Sequence, residues 1–413
     1  MRDPMRLLIA DKLHPRAIEE LRTLPVEVIY DPEVTKESLE AKIGGVGILI
    51  VRSTEVTAEA IDKARQLHLI VRAGAEFSTI DVRAASRRGI YVANCPGKNA
   101  AAVAELVFGL LLGIDRRIPD AVASLRAGKW ERGKFGGAEG LHGKTLGIAG
   151  FGAVGREVAN RARCFGLHPV AWSRGLTAAK AADHGVGHAS SLLDLAARSN
   201  VLSLHLPITD RTRNIVGAKV LAALPPRAIL LNTARADLID YDALRAAVSK
   251  QKLRVGLDVF PDEPKGHTSR EFPSDLLGPT TTPGAGFVYG TPHIAASTDQ
   301  AQLAIAIETV RVIRSFLLEA NVPNVVNVTS SSTARFQVVI RMVDKVGTLA
   351  NVLNVIKRHG INVEEVANTI FEGGGASCAK LRVVSRLGEA CLAEIHAFEE
   401  VLHVDMVPLP NLA

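Results

Sequence analysis

GKTLGIAGFGAVGREVANRARCFG, residues 143–166, is the stretch that decides the fold. Thr145–Ala149 is a short, uninterrupted apolar run, which predicts a buried strand. Val154 onward carries apolar residues at helical spacing. Between them stands a G-x-G-x-x-G: Gly150-Phe151-Gly152-Ala153-Val154-Gly155. In such a turn Gly150 permits the sharp reversal, Gly152 lets backbone approach a pyrophosphate, and Gly155 lets helix and strand pack closely. Phosphate charge would then meet the free N–H groups at the helix start. A glycine-rich turn alone is weak evidence. Strand before, helix after and a second apolar run, His168–Trp172, make it a dinucleotide site.

The same rhythm runs outward from this segment. Upstream, candidate strands Leu7–Ala10, Val26–Tyr30, Gly47–Val51, Leu69–Ala73 and Ile90–Ala93 alternate with helical patterns such as HPRAIEELRTL. Downstream, strands fit Val201–Leu206, Ala228–Asn232 and Val255–Val259. Alternation of this kind predicts two doubly wound parallel sheets covered by helices, an α/β protein. Lys98–Trp130 reads as one long helix or two, ending near Gly128, and Asp299–Glu319 as a helix long enough to cross back to the first unit. TSSST at 329–333 reads as a linker. The remainder reads strand, helix, two strands, helix, strand, a ferredoxin-like βαββαβ pattern with a turn at Gly373–Gly375. The expected division is 1–99 with 297–328, 100–296, and 334–413.

Composition agrees with this class. The chain has 413 residues, 47% hydrophobic and 22% charged, as a folded multidomain protein should. Its formal charge of +6 raises a nucleic-acid reading. The basic residues are dispersed, however, and no DNA-binding motif is present, so the charge suits anionic metabolites and a phosphorylated cofactor instead. Cys95, Cys164, Cys378 and Cys391 show no C-x-x-C spacing, which signals neither a metal site nor a disulfide framework. No signal-peptide core or membrane span is apparent, and a cytoplasmic protein is expected.

The strand after the glycine turn ends in Trp172-Ser173-Arg174. An NAD site usually places an acid here to bind the ribose hydroxyls. A hydroxyl and a guanidinium suit the 2′-phosphate of NADP, so the choice between NAD and NADP leans to NADP. The competing reading is an Arg174 that only faces solvent.

Three later segments belong together: LLNTARADLID with Arg235, GLDVFPDEP with Asp258 and Glu263, and TPHIAAST with His293. Reducing a 2-oxo acid needs its carbonyl polarised and the nascent alkoxide protonated. Histidine is suited because its pKa lies near working pH. A carboxylate beside it orients the ring, and an arginine can grip a substrate carboxylate with two hydrogen bonds. A lone histidine among twelve would be an ordinary residue; the order of these segments behind the glycine turn is what singles out His293.

That order resembles the D-2-hydroxyacid dehydrogenase family, and VRAGAEFSTID followed by GIYVANCPGKNAAAVAE resembles its phosphoglycerate dehydrogenase branch. The resemblance spans residues 5 to 328. It implies Arg235 as substrate ligand, Glu263 as support for His293, and His293 as acid or base. Asp258, Thr233 and Ala234 would line the nicotinamide pocket; His205 stands in a segment that often meets cofactor, and a structural role for it stays equally open. Arg52-Ser53, Arg72 and Asn99 would bind substrate. Trp130 and Arg132, in GKWERGKF, resemble a segment that reaches a neighbouring subunit's site. Arg52, Arg72 and Arg132 together would suit a substrate with phosphate and carboxylate, D-3-phosphoglycerate. Glyoxylate or hydroxypyruvate reduction is the alternative within the class, and a nicotinamide-sensing corepressor the alternative outside it. A homodimer or homotetramer is implied.

The last domain resembles an ACT module. MVDKVGTLANVL carries Met342, Asp344 and Val346-Gly347 where a serine-inhibited relative has His, Asn and Pro-Gly, though Asn362 is retained. Partners for an amino acid's charged ends are therefore depleted. A small-molecule effector and a purely structural, dimerising role both stay open. A second departure is GPTTTPGAGFVYGTP, residues 278–292, whose Pro and Gly content predicts an irregular loop at the pocket mouth.

Overall fold

The computed structural model describes residues 4–264, 269, 271–277, 285–329 and 332–409. It divides into two compact units, Met1–Asn327 and Val328–Ala413.

The first unit holds two parallel sheets. Strands β1 (Met5–Ile9), β2 (Val26–Tyr30), β3 (Ile48–Val51), β4 (Leu69–Arg72) and β5 (Tyr91–Ala93) form one, in the order β2-β1-β3-β4-β5. Their near-continuous apolar runs are what a sheet buried on both faces requires. Val34, Leu39 and Ile61 pack with Leu8 and Leu49 on one face, and Leu7, Ile48 and Leu69 face the other. On that other face lie Ile305, Val310 and Ile313 of the helix Asp299–Glu319, which begins beyond the second sheet and returns to the first.

The second sheet comprises β6 (Thr145–Ala149), β7 (His168–Trp172), β8 (Gly187–His188), β9 (Val201–Leu204), β10 (Ile229–Asn232), β11 (Arg254–Leu257) and β12 (Phe287–Gly290). Its order is β12-β11-β10-β9-β6-β7-β8, all pairs parallel. The chain winds outward from β6 through β7 to β8, then returns to β9 on the other side of β6. That reversal opens a crevice at the carboxyl ends of β6 and β9, where doubly wound folds bind ligands. The stretch expected as one or two helices is two, Ala100–Arg116 and Ile118–Arg126, broken at Arg117, which is left-handed.

Two strands depart from expectation. β8 has only two residues, too few for a pattern. β12 lies within the segment expected to be irregular: Phe287–Gly290 pairs with Arg254–Leu257 as an edge strand. Pairing with a neighbour, which local composition does not report, overrides the flanking glycines. Residues 278–284 of that segment, and 330–331 of the expected linker, lie outside the described residues.

The second unit is an antiparallel sheet of β13 (Phe336–Val343), β14 (Val363–Ile370), β15 (Ala376–Val383) and β16 (Val401–Pro408), in the order β14-β15-β13-β16. Helices Thr348–Arg358 and Glu389–His396 complete βαββαβ. The hairpin between β14 and β15 turns through Gly373 and Gly374, both at positive φ. Met342 is buried with Val338, Ile340 and Leu381, so it serves the core. Among the described residues no helix is long and apolar enough to cross a membrane.

Candidate active site

At the end of β6 the backbone turns with Gly150 at φ +100°. A Cβ there would lie 2.4 Å from the His205 carbonyl oxygen, and one on Gly155 would lie 2.2 Å from the Gly150 carbonyl oxygen. Both positions therefore demand glycine. Over Gly152 a Cβ would meet nothing within 4 Å, so that face is open. The helix Ala153–Cys164 starts beneath it with no side-chain cap, leaving N–H groups of Ala153 and Val154 available to an anion. Across the crevice, Thr233 is buried, and its hydroxyl has no partner among the described residues. Ala234 N–H donates to the Asn232 side chain at 3.0 Å. These features fit a dinucleotide. Ser173 is half-buried and Arg174 exposed just beyond β7. His205 shares a 2.8 Å hydrogen bond with Ser203, and burial lowers its pKa to about 4, so the ring stays neutral.

His293 stands on the turn after β12, with φ +51°, an unusual backbone for a non-glycine residue. Asp258, fully buried at the end of β11, holds that turn. Its carboxylate accepts hydrogen bonds from the Thr291 hydroxyl at 2.6 Å and from the backbone N–H groups of Ile294 and Ala295, each at 2.9 Å. The Asp258 carboxylate is thus engaged by the histidine-bearing turn, where the resemblance implied a nicotinamide contact.

His293 Nδ1 lies 2.6 Å from Glu263 Oε1. The hydrogen bond to Glu263 raises the His293 pKa above its ordinary value, against a smaller opposing effect of burial. Burial pushes Glu263 up, but the bond to His293, its charge and the Phe260 N–H together leave the carboxyl below the usual range. Because Nδ1 is committed to Glu263, Nε2 is the nitrogen free to exchange a proton with a ligand. Arg235 follows β10. Its Nη1 donates to the Ala234 carbonyl at 2.6 Å, and its Nη2 is 3.2 Å from Glu76 Oε2. Its positive charge bears on both Glu263 and His293.

The first sheet contributes cations to the same crevice. Arg52 and Ser53 follow β3, held by an acid that the sequence did not single out. Asp11 accepts from the backbone N–H groups of Arg52, Ser53 and Thr54 at 2.7, 3.1 and 3.0 Å, and from the Ser53 hydroxyl at 2.7 Å. Arg72 ends β4 and lies over Gly74, where a Cβ would come within 1.4 Å of its guanidinium. Burial weakens the proton affinity of Arg52 and of Arg72. The charges of Arg52 and Arg235 lower Arg72 further, so the three arginines share one region. The Nε of Arg72 is buried with no partner among the described residues. Asn99 is the N-cap of the helix Ala100–Arg116 but makes no capping bond. Trp130 is 82% exposed and Arg132 exposed, so within one chain neither is packed into the cluster.

A family model for the D-isomer specific 2-hydroxyacid dehydrogenase NAD-binding domain matches residues 108–295. The chain is 38% identical over 351 residues to a D-3-phosphoglycerate dehydrogenase of Methanocaldococcus jannaschii, covering 84% of this chain but only 64% of that relative's length. It is 39% identical over 307 residues to a hydroxypyruvate reductase of Thermotoga maritima, covering 74% of this chain and 96% of the relative. The structure of an NAD⁺-bound 3-phosphoglycerate dehydrogenase of Entamoeba histolytica superposes with a TM-score of 0.64 at 26% identity, over 79% of this chain and 99% of that one. On these likenesses and this geometry, the chain belongs to the D-isomer specific 2-hydroxyacid dehydrogenase family.

Proposed function

We propose that the protein oxidises D-3-phosphoglycerate reversibly to 3-phosphohydroxypyruvate with a nicotinamide cofactor. The observation that carries this reading is the His293–Glu263 pair at 2.6 Å with Arg235 beside it. In the oxidative direction neutral His293 takes the hydroxyl proton at Nε2, and Glu263 stabilises the imidazolium that results. In reduction the imidazolium returns that proton to the alkoxide. Arg235 grips the 2-carboxylate and so fixes the carbon that reacts. The nicotinamide, when bound, supplies or accepts the hydride. Gly150 to Gly155 would cradle its pyrophosphate, Thr233 and Ala234 its nicotinamide end, and Arg174 a 2′-phosphate, which favours NADP over NAD.

Arg52 and Arg72 are half-buried cations with capacity for a second anion, and this supports a phosphorylated substrate over glyoxylate. Residues 1–99 with 297–328 act as the substrate-binding domain, 100–296 as the dinucleotide-binding domain, and 334–413 as an ACT-like module in a cytoplasmic protein. A homodimer or homotetramer is supported by the helix Ile118–Arg126, which buries no residue in a single chain and exposes Ile118 and Leu125. In such an assembly Trp130 and Arg132 would reach the neighbouring subunit's crevice.

The test is the initial rate of cofactor oxidation with 3-phosphohydroxypyruvate, hydroxypyruvate and glyoxylate, each with NADH and NADPH. The proposal expects the phosphorylated acid and NADPH to give the highest kcat/KM. Preference for glyoxylate or hydroxypyruvate would replace the substrate and leave the reaction type standing.

A further inference from the structure

Arg235 has a partner that the reaction above does not use. Glu76 comes from the loop after β4, on the first sheet, and Arg235 from the loop after β10, on the second. They meet across the crevice at 3.2 Å. Both side chains are about one-third exposed, 36% and 32%, so the pair is neither sealed in a core nor fully solvated. Nη1 gives one N–H to the Ala234 carbonyl and Nη2 lies against Glu76, so a ligand carboxylate that takes the Nη2 edge must share it with Glu76. Glu76 is moreover the acid whose charge bears on Arg72, opposing the mutual repulsion of the arginine cluster. In the free protein, then, a carboxylate of the chain itself already engages one of the Arg235 nitrogens that an incoming carboxylate would use.

We propose that Glu76 is a specificity-determining residue that occupies Arg235 as an internal counterpart of the substrate carboxylate and is displaced when a 2-oxo acid binds. The proposal rests on Arg235 being the carboxylate-binding residue. Two consequences follow from the charges. Every anion must compete with Glu76 for Arg235, which weakens binding without altering proton transfer at His293. Once displaced, Glu76 leaves a negative charge beside the ligand, so the penalty grows with the ligand's own charge and falls hardest on a phosphorylated acid.

The experiment titrates oxalate, a two-carboxylate probe that cannot turn over, into the full-length protein by calorimetry. Wild type, Glu76→Gln, Glu76→Ala and Arg235→Ala are compared. Partly exposed ion pairs contribute modestly, so both Glu76 variants should bind oxalate about two- to fivefold more tightly. In steady state Glu76→Gln should lower KM while leaving kcat within about twofold, with a larger KM change for 3-phosphohydroxypyruvate than for glyoxylate. Unchanged or weaker oxalate binding, or a loss of kcat, would mean that Glu76 holds Arg235 in place and would overturn the proposal. Arg235→Ala separates the two levels of failure. If it loses oxalate while the Glu76 variants gain nothing, only the proposal falls; if it binds oxalate like wild type, the assignment of Arg235 falls too.

Discussion

Replacing Asp258 by Asn tests how the histidine is held. The carboxylate is fully buried and receives three hydrogen bonds, two on Oδ1 and one on Oδ2. An amide of the same size keeps an oxygen for the Thr291 hydroxyl and the Ile294 N–H, but turns its NH2 toward the Ala295 N–H. That buried donor is left unpaired, costing about 1–3 kcal/mol, and the other two bonds lose charge assistance, roughly 0.5–1 kcal/mol each. Relief of the buried charge offsets part of this. A net loss of about 2–3 kcal/mol is expected, which for a unit of this size corresponds to a fall of about 3–5 °C in Tm. The turn would also relax around His293, whose left-handed backbone is unfavourable without support. A displacement of about 1 Å at a reacting group costs on the order of a hundredfold in rate. The assays are thermal melting by circular dichroism without cofactor and kcat with the best 2-oxo acid. A melting point within about 1 °C of wild type together with unchanged kcat would refute this reasoning. A Tm that holds while cofactor affinity falls would return Asp258 to the nicotinamide pocket.

Other outcomes follow from the same geometry. Reduction needs protonated His293, so its kcat/KM should fall as pH rises through the raised pKa of that ring. Removing the bond to the carboxylate with Glu263→Gln should move this alkaline limb to lower pH, and an unmoved limb would show that Glu263 does not set the protonation. Arg174→Ala should raise KM for NADPH about 10- to 100-fold, the loss of a charge-assisted contact, with NADH little affected. Equal effects on both cofactors would show that Arg174 does not bind the 2′-phosphate.

Much of this architecture was legible because it rests on local pattern. Thr145–Ala149, His168–Trp172 and Asp299–Glu319 fall where apolar runs and helical spacing put them, since a strand buried on both faces and a helix crossing a sheet each leave a period in the sequence. The segments carrying Arg235, Glu263 and His293 were legible as a set, and the fold brings them to one crevice. What the sequence hid is long-range. Asp11 is 42 residues from the Ser53 hydroxyl it binds and carries no motif of its own. Glu76 lies inside VRAGAEFSTID but acquires its meaning only opposite Arg235, a residue from the other sheet. Phe287–Gly290 becomes a strand because Arg254–Leu257 presents an open edge. Trp130 and Arg132 remain exposed on this chain, and their proposed roles depend on a second subunit.

The most direct test of the central claim is His293→Asn, measured for turnover and, by fluorescence titration, for cofactor binding. The kcat should fall by at least a hundredfold while cofactor Kd changes less than about threefold, because Nε2 moves the proton and the glycine turn holds the dinucleotide. Retention of most of the wild-type kcat would contradict it and require another acid in the crevice.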